Sequence, residues 1–260
     1  MFINYTQSPC GQTTLRSLLV VLCASFAAPE ASATEVRELA PGRILEVHYE
    51  GFTVWLDCAR HGAFRFEYLA TKDAGSEPRS PTFVIDPDVP AECQQTSASA
   101  YSTSAGNYDR GHQVPANHLD ASPIAIRQSN FMTNILPQAA AMNRGAWLAT
   151  EEIIECYRDI KDLHVTGGTI WGFNPHDDYF LASHGVPTPD YFWKVVIATD
   201  DAIAWIVPNT EHAKKNMLDQ YIVPIATIER LLGEDFDVPA PLKTKHPTHS
   251  WTLPQGCDKG

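Results

Sequence analysis

The stretch DRGHQVP at residues 109–115, followed by NRGAWLATEEIIECYRDIK at residues 143–161, decides the fold that the sequence predicts. The second stretch is typical of an amphipathic helix, because its large apolar residues recur on one helical face. That face carries Trp147, Ile153, Ile154 and Tyr157. The segment FMTNIL at residues 131–136 has the composition of a strand and would pair with the first stretch as a hairpin. A hairpin followed by a helix predicts a ββα unit over about residues 109–160.

The sequence on either side of this unit alternates with the period of β-strands. Strands are expected at residues 44–49, 52–57, 63–69, 163–167, 192–198 and 202–207, with a turn at 49–51. Between them lie a Pro/Ser/Asp/Gly-rich connection at 71–107, a loop at 172–190 and a second helix at 225–232, closed by Gly233. We therefore predict an α+β fold, a single domain with a central antiparallel sheet and a ββα unit flanked by helices.

Composition limits the partners that the chain can bind. The 260 residues include 19 Lys and Arg against 31 Asp and Glu, which gives a formal net charge of −12. This balance excludes a broad basic surface, so a nucleic-acid or phosphate partner would be held by a few local cations. No run of about 18 apolar residues occurs, so neither a transmembrane helix nor a membrane partner is expected.

The first 33 residues have the pattern of a signal peptide. Arg16 precedes the apolar stretch LLVVLCASFAA at residues 18–28, and ASA at residues 31–33 is typical of a cleavage site. We predict a signal peptide over residues 1–33, a functional domain over residues 34–260, and a periplasmic or secreted location. A buried N-terminal helix is the alternative.

The cysteines that follow the predicted cleavage site are Cys58, Cys93, Cys156 and Cys257. An even number of cysteines in an exported chain predicts two disulfides, and the sequence leaves all three pairings open. Four buried thiols are the alternative. A zinc site is not predicted, because no CxxC and no cysteine–histidine pair has the spacing of zinc ligands.

The polar residues of the ββα unit suggest chemistry on a phosphate ester. Alternate residues of a strand share a face, so Arg110 and His112 should point to the same side, and Gly111 between them should let a ligand approach the backbone. A neutral His112 can take a proton from water, and the guanidinium of Arg110 fits phosphate oxygens. The amide oxygen of Asn143, at the expected start of the helix, suits Mg²⁺, an ion that keeps several waters.

Glu151 follows Asn143 by eight residues on the same predicted helix. Eight steps of a regular α-helix separate two residues by about 80° around the axis and about 12 Å along it. We therefore expect Glu151 to accept a hydrogen bond from metal-bound water and not to bind the metal directly. A base, a metal ion and a guanidinium together indicate phosphodiester hydrolysis.

These motifs resemble those of the DNA/RNA non-specific endonucleases, the ββα-metal or His-Me finger group. DRGHQ at residues 109–113 resembles the family's DRGH signature, and TNILPQ at 133–138 resembles a strand end of the family. NRGAW at residues 143–147 is similar to the helix start that carries the metal-ligand Asn, and Glu151 falls where the family has a helix Glu. The resemblance spans roughly residues 45–237. Arg144 stands where the family usually has Gln, which adds a positive charge beside the metal site.

The resemblance implies an exported, Mg²⁺-dependent endonuclease that cuts DNA and RNA and leaves 5′-phosphates, with Mn²⁺ as an alternative ion. The implied catalytic residues are His112, Arg110, Glu151 and Arg79, the implied substrate contacts are Arg110, Arg144 and Arg79, and the implied metal ligand is Asn143. Arg79 enters as the match, by loop spacing, to an upstream Arg of secreted members.

A catalytically silent nucleic-acid-binding or interaction module of the same fold is the alternative function, and the net charge of −12 favours it. The intact pair of His112 and Asn143 favours the enzyme. The sequence leaves the oligomeric state open, with a homodimer as one outcome. His118, His176, Asp177, Asp178, His246 and His249 lie in polar loops or the tail and are interpreted as ordinary loop residues.

Overall fold

The fold is taken from a computed structural model, which describes residues 34–40 and 43–259. The predicted signal peptide at residues 1–33 lies outside the described residues. The strands are β1 (Glu35–Ala40), β2 (Ile44–Tyr49), β3 (Phe52–Asp57), β4 (Gly62–Ala70), β5 (Tyr108–His112), β6 (Ile135–Ala139), β7 (Leu163–Trp171), β8 (Pro189–Ile197) and β9 (Ala202–Pro208).

Seven of these strands form one antiparallel sheet in the order β1-β2-β3-β4-β7-β8-β9. The predicted strands at 44–49 and 52–57 are confirmed at their predicted bounds, and Gly51 supplies the positive φ of 86° that the turn between them requires. β7 and β8 extend beyond the predicted segments, and β1 was not predicted, because its charged sequence lacks the alternation of a half-buried strand.

Both faces of the sheet are covered, as the alternation along β8 shows. Phe192 and Val196 belong to the larger core, which also contains the ββα unit. Trp193 and Val195 belong to a smaller core on the other face, where they pack against α5 (Ile225–Leu232) and Phe236. The second predicted helix is thereby confirmed at its predicted bounds, and Gly233 closes it in the left-handed conformation with φ 69°.

The ββα unit consists of β5 paired antiparallel with β6, followed at once by a long helix. The helix comprises α2 (Ala140–Met142), a π-helical turn (Asn143–Trp147) and α3 (Leu148–Arg158). Two predicted boundaries are wrong here. Residues 132–134 form a 3₁₀ turn and the second strand starts at Ile135, because Asn134 uses its side chain to hold the backbone of Val114 instead of extending the ladder.

The helix start was also placed too late. It begins at Ala140, so Asn143 lies within the helix with αR backbone angles and is not an N-cap. Short helices that were not predicted occur at α1 (Pro123–Ser129), α4 (Leu181–His184) and α6 (Ala240–Lys243). Among the described residues, no helix is both long and apolar enough to cross a membrane.

Two disulfides are present, as predicted, and the structure resolves their pairing. Cys58 after β3 is bonded to Cys93, which fastens the long connection at 71–107 to the sheet. Cys156 of α3 is bonded to Cys257, which fastens the last part of the described chain to the helix. The long connection is thereby held beside the ββα unit, with Arg79 next to His112.

Candidate active site

One cavity of about 410 Å³ gathers all six residues that the sequence analysis singled out. It is open to solvent and lies between β5, the π-helical turn, α3 and the long connection. Its lining comprises Arg79, Arg110, His112, Pro115, Ala116, Asn117, Asn143, Arg144, Leu148, Glu151 and Lys259. Residues from four parts of the chain thus converge on one space.

The hydrogen bonds of His112 define which ring nitrogen is free to act as a base. The Asn130 side-chain amide donates to Ser80 O at 2.8 Å, so its oxygen faces the imidazole. That oxygen lies 2.8 Å from His112 Nε2, and an amide oxygen can only accept. Nε2 therefore carries the proton, and the lone pair is on Nδ1.

Nδ1 of His112 lies 3.2 Å from Nη2 of Arg79. The side chain of His112 is buried, with 7% exposure, against the ring of Phe83. Burial, followed by the positive charge of Arg79, lowers the pKa of His112 to about 3, against a smaller rise from the Asn130 hydrogen bond. The imidazole is consequently neutral at physiological pH, which is the form that a general base requires.

Arg110 is held beside His112 by two contacts. Its Nη1 donates to Ala98 O at 2.9 Å, and its guanidinium lies 4.1 Å from the ring centroid of Phe83. The other guanidinium N–H groups have no acidic partner among the described residues, so they remain available to an anion in the cavity.

Gly111 has a different role from the one predicted: a Cβ there would lie 2.2 Å from the side chain of Gln138, so the glycine makes room for that side chain and not for a ligand.

Asp109 organises the entrance of the π-helical turn. It accepts hydrogen bonds from Asn143 Nδ2 at 2.9 Å and from Arg144 at 2.8 and 2.6 Å. The amide orientation of Asn143 is therefore fixed, and its oxygen accepts no hydrogen bond from the residues that the structure describes. Arg144 is 72% exposed at its side chain and forms a bidentate ion pair, so the charge it adds beside Asn143 is balanced by Asp109.

The π-helical turn corrects the predicted relation between Asn143 and Glu151. A π turn contains one residue more than an α turn, so the eight steps act as about seven α-helical steps and rotate the side chain by only about 20° instead of 80°. Glu151 therefore lies on nearly the same face as Asn143, and both line the cavity.

A buried lysine lies beneath Glu151. Lys194 of β8 is fully buried, its Nζ donates to Thr150 Oγ1 at 2.7 Å, and it lies 3.8 Å from the ring centroid of Trp147. Burial raises the pKa of Glu151 and lowers that of Lys194, and the opposite charge of each partner partly offsets the shift of the other. The pairing stabilises the carboxylate form of Glu151 at the wall of the cavity.

Sequence reasoning missed Asn130, Lys194 and Lys259 and undervalued His118. His118 lies in a buried network in which Tyr68 OH and Glu155 contact its two ring nitrogens at 2.8 and 3.2 Å, and Arg158 also pairs with Glu155. The only signal for this network was the i, i+3 spacing of Glu155 and Arg158 on the predicted helix.

The donor set of the cavity fits a hard divalent cation. Among the described residues no group of three or more His, Cys, Asp or Glu side chains could hold a metal ion. The unpartnered amide oxygen of Asn143 and the carboxylate of Glu151 are oxygen donors on one wall. Mg²⁺ binds with one or two such ligands and several waters, so the residues present fit that ion.

The chain is similar in sequence and in fold to known proteins. A sequence model described as DNA/RNA non-specific endonuclease matches residues 36–244. Nuclease C1 of Cunninghamella echinulata var. echinulata is 29% identical over 167 residues, which cover 59% of this chain and 65% of that protein. A nuclease of Nostoc sp. is 27% identical over 176 residues (62% of this chain, 61% of that protein).

Mitochondrial endonuclease G of Homo sapiens is 26% identical over 139 residues, which cover 48% of this chain and 46% of that protein. The matched region thus spans less than two thirds of each of these three relatives. A crystal structure of an EndoG/EndoGI complex superimposes with a TM-score of 0.60 at 19% identity, over 79% of this chain and 86% of that chain. This likeness shows the fold and confirms the predicted antiparallel sheet with its α+β arrangement.

Proposed function

Because the chain belongs to the DNA/RNA non-specific endonuclease family, we propose that it hydrolyses phosphodiester bonds within DNA and RNA with the help of a divalent metal ion. The observation that carries the proposal is the buried His112, whose Nδ1 lies 3.2 Å from Arg79 in a cavity that also contains Arg110. Neither arginine has an acidic partner among the described residues. A base and cations around one space are what in-line attack of water on phosphorus requires.

His112 acts as the general base in this mechanism. Its Nδ1 accepts a proton from the attacking water, while the Nε2–H bond to Asn130 orients the ring and stabilises the imidazolium that forms. The 3.2 Å contact between Nδ1 and Arg79 is at the long end of the hydrogen-bond range. A phosphate therefore competes well for the guanidinium, and its arrival frees the lone pair for water.

Arg79 and Arg110 bind the phosphate and neutralise the charge that accumulates on its oxygens in the transition state. Arg110 is the more rigid of the two, since Ala98 and Phe83 hold it. Arg144 contacts substrate only at the rim, because Asp109 already occupies its fork of donors.

Asn143 would hold the metal ion, and Glu151 would accept a hydrogen bond from metal-bound water. The ion, when bound, supplies positive charge to the phosphorane-like state and to the departing 3′-oxygen. Burial raises the pKa of Glu151 to about 7, and the charge of Lys194 opposes that rise and favours the carboxylate form. The products expected from the family resemblance carry 5′-phosphates.

The two disulfides support a chain that folds in an oxidising compartment. We propose that residues 1–33 direct export and that residues 34–260 form the nuclease domain. Recovery of the activity from the periplasm or the medium, with a chain that starts near residue 34, would agree with this. A cytosolic chain that retains residue 1 would contradict it.

The test of the function is cleavage of supercoiled plasmid and of a long RNA by the chain from residue 34 onward, with Mg²⁺, with Mn²⁺ and with EDTA. We expect both substrates to be cut with either metal and neither to be cut with EDTA. Products should require phosphatase treatment before kinase can label their 5′ ends. Binding of both nucleic acids without cleavage under any metal would favour the silent module instead.

A further inference from the structure

The chain that follows the family-matched residues folds back onto the catalytic helix. We call residues 245–259 the return arm; the family match ends at residue 244. The disulfide between Cys156 and Cys257 joins the arm to α3. Tyr157, the next residue of α3, donates its hydroxyl to Thr252 O at 2.9 Å, and its ring centroid lies 5.0 Å from that of Trp251. The arm is thus fastened along the helix that carries Glu151.

A second set of contacts fastens the start of the arm to the sheet side of the molecule. Asp219 accepts from Ser250 N at 2.8 Å and contacts His249 Nδ1 at 3.0 Å. Trp205 of β9 donates its indole N–H to Ser250 Oγ at 3.2 Å. Lys259 follows the disulfide-bonded Cys257 by two residues and lines the cavity.

Lys259 lines the same cavity as Arg79, Arg110 and His112. Its ammonium contacts one oxygen of Glu152 at 3.5 Å, and 47% of the side chain is exposed. The same carboxylate accepts from Lys215 at 2.6 Å on both oxygens. Glu152 is therefore already neutralised by a closer lysine, and the charge of Lys259 is available to an anion in the cavity.

The contribution of Lys259 to phosphate binding depends on how many other cations of the cavity lack an acidic partner. Arg144 is balanced by Asp109, so Arg79 and Arg110 are the other cavity cations without an acidic partner among the described residues. In a chain with a net charge of −12, long-range attraction of a polyanion is absent, and each short-range phosphate contact carries a larger share of binding.

We infer that the return arm serves to place Lys259 at the cavity as a contact for the phosphate backbone beside the bond to be cut. This inference rests on the proposed nucleic-acid function. Lys259 is a binding contact and takes no part in proton transfer. The Cys156–Cys257 disulfide affects substrate binding only by holding the arm, and with it Lys259, in place.

The first test compares Lys259→Ala with Lys259→Arg and with the control Lys245→Ala, a lysine of the same arm that pairs with Asp201 instead. Binding of a fluorescent single-stranded oligonucleotide is measured in EDTA across a salt series, and cleavage is measured with Mg²⁺. For Lys259→Ala we expect Kd and KM to rise about fivefold, the factor of a strong exposed ion pair, with kcat unchanged. The slope of log K against log salt should fall by about 0.7. Lys259→Arg and Lys245→Ala should resemble the wild type.

The second test asks whether the disulfide acts through Lys259. The Cys156→Ser/Cys257→Ser double variant should show the same rise in KM, and in a Lys259→Ala background it should add little, because both changes remove one contact. Melting temperatures monitor folding, and the Lys259→Ala result stands even where the cysteine variant unfolds.

Unchanged Kd and salt slope in Lys259→Ala, with an active wild type, would overturn the inference and leave the nuclease function intact. If binding weakens in Lys259→Ala while the wild type fails to cut with any metal, the contact of Lys259 with the substrate is supported and the proposed nuclease activity is overturned. A wild type that neither binds nor cuts nucleic acid would overturn both.

Discussion

Replacing His112 by alanine removes the only neutral imidazole that lines the cavity among the described residues. A positioned general base contributes about 10²–10⁴ in rate, which corresponds to about 2.7–5.4 kcal/mol of transition-state free energy at about 1.36 kcal/mol for each decade. Because His112 acts on the proton of water and not on the phosphate, we expect the loss in kcat and expect KM to change by less than about threefold.

The same substitution has a cost in stability that can be derived from its contacts. The oxygen of Asn130 loses its only donor among the described residues, and Asn130 is 1% exposed. An unsatisfied buried acceptor costs about 1–3 kcal/mol, so the melting temperature should fall. The sequence does not predict this loss of stability. His112 lies in the polar motif DRGHQ, and nothing in the motif indicates that its ring is buried against Phe83.

The assay is single-turnover cleavage of a labelled oligonucleotide, with Mg²⁺ titrated for the wild type, His112→Ala and Asn143→Ala. Asn143→Ala should regain part of its activity at high Mg²⁺, because it weakens metal affinity and leaves the base in place. His112→Ala should not respond. If His112→Ala cleaves within about threefold of the wild type, far below the range of general-base catalysis, the mechanism is wrong.

Three further outcomes follow from the same contacts. In Asn130→Asp a carboxylate would contact the imidazole and raise the pKa of His112, so the acid limb of the pH–rate profile should move to higher pH; an unmoved limb would contradict the assigned tautomer. The folded-state pKa of His112, about 3, lies below its ordinary 6.5, so its contribution to stability is present above about pH 6.5 and is lost as pH falls toward 3. Urea denaturation at pH 7 and pH 4 should therefore show a smaller loss for His112→Gln than for the wild type, and equal losses would refute this. Lys194→Met removes the positive charge beside Glu151 and should raise the pKa of that carboxyl further, with activity lost first at acid pH; an unchanged pH profile in a folded variant would make Lys194 purely structural.

The sequence predicted the parts of this molecule that depend on local pattern. In residues 44–49 and 52–57 every second residue is buried in the larger core, so the period of the sequence agrees with the structure. The two motifs around His112 and Asn143 contain short-range information of the same kind, and the helix that follows His112 brings both to one cavity.

The features that the sequence did not predict depend on contacts between residues far apart in the chain. Asn130 and Lys194 reach His112 and Thr150 over 18 and 44 residues, and no local pattern distinguishes them from other polar residues of a loop or strand. The buried position of Lys194 contradicts the usual exposure of lysine, so only tertiary structure could find it. The late start assigned to the helix has a simpler cause: Ala140 and Ala141 extend it without adding an apolar face.

The wide turn at Asn143–Trp147 makes the length of this segment as informative as its residues. Because a π turn holds one residue more than an α turn, loss of one residue here would leave an ordinary α turn and keep Glu151 at the cavity wall and Ile154 in the core. Loss of a second residue would rotate every later side chain of the helix by about 100°. Loops such as 71–107 absorb changes of length at small entropic cost. When relatives are aligned, a gap of one residue within NRGAW is therefore compatible with an intact site, whereas a gap of two residues there indicates a rebuilt one.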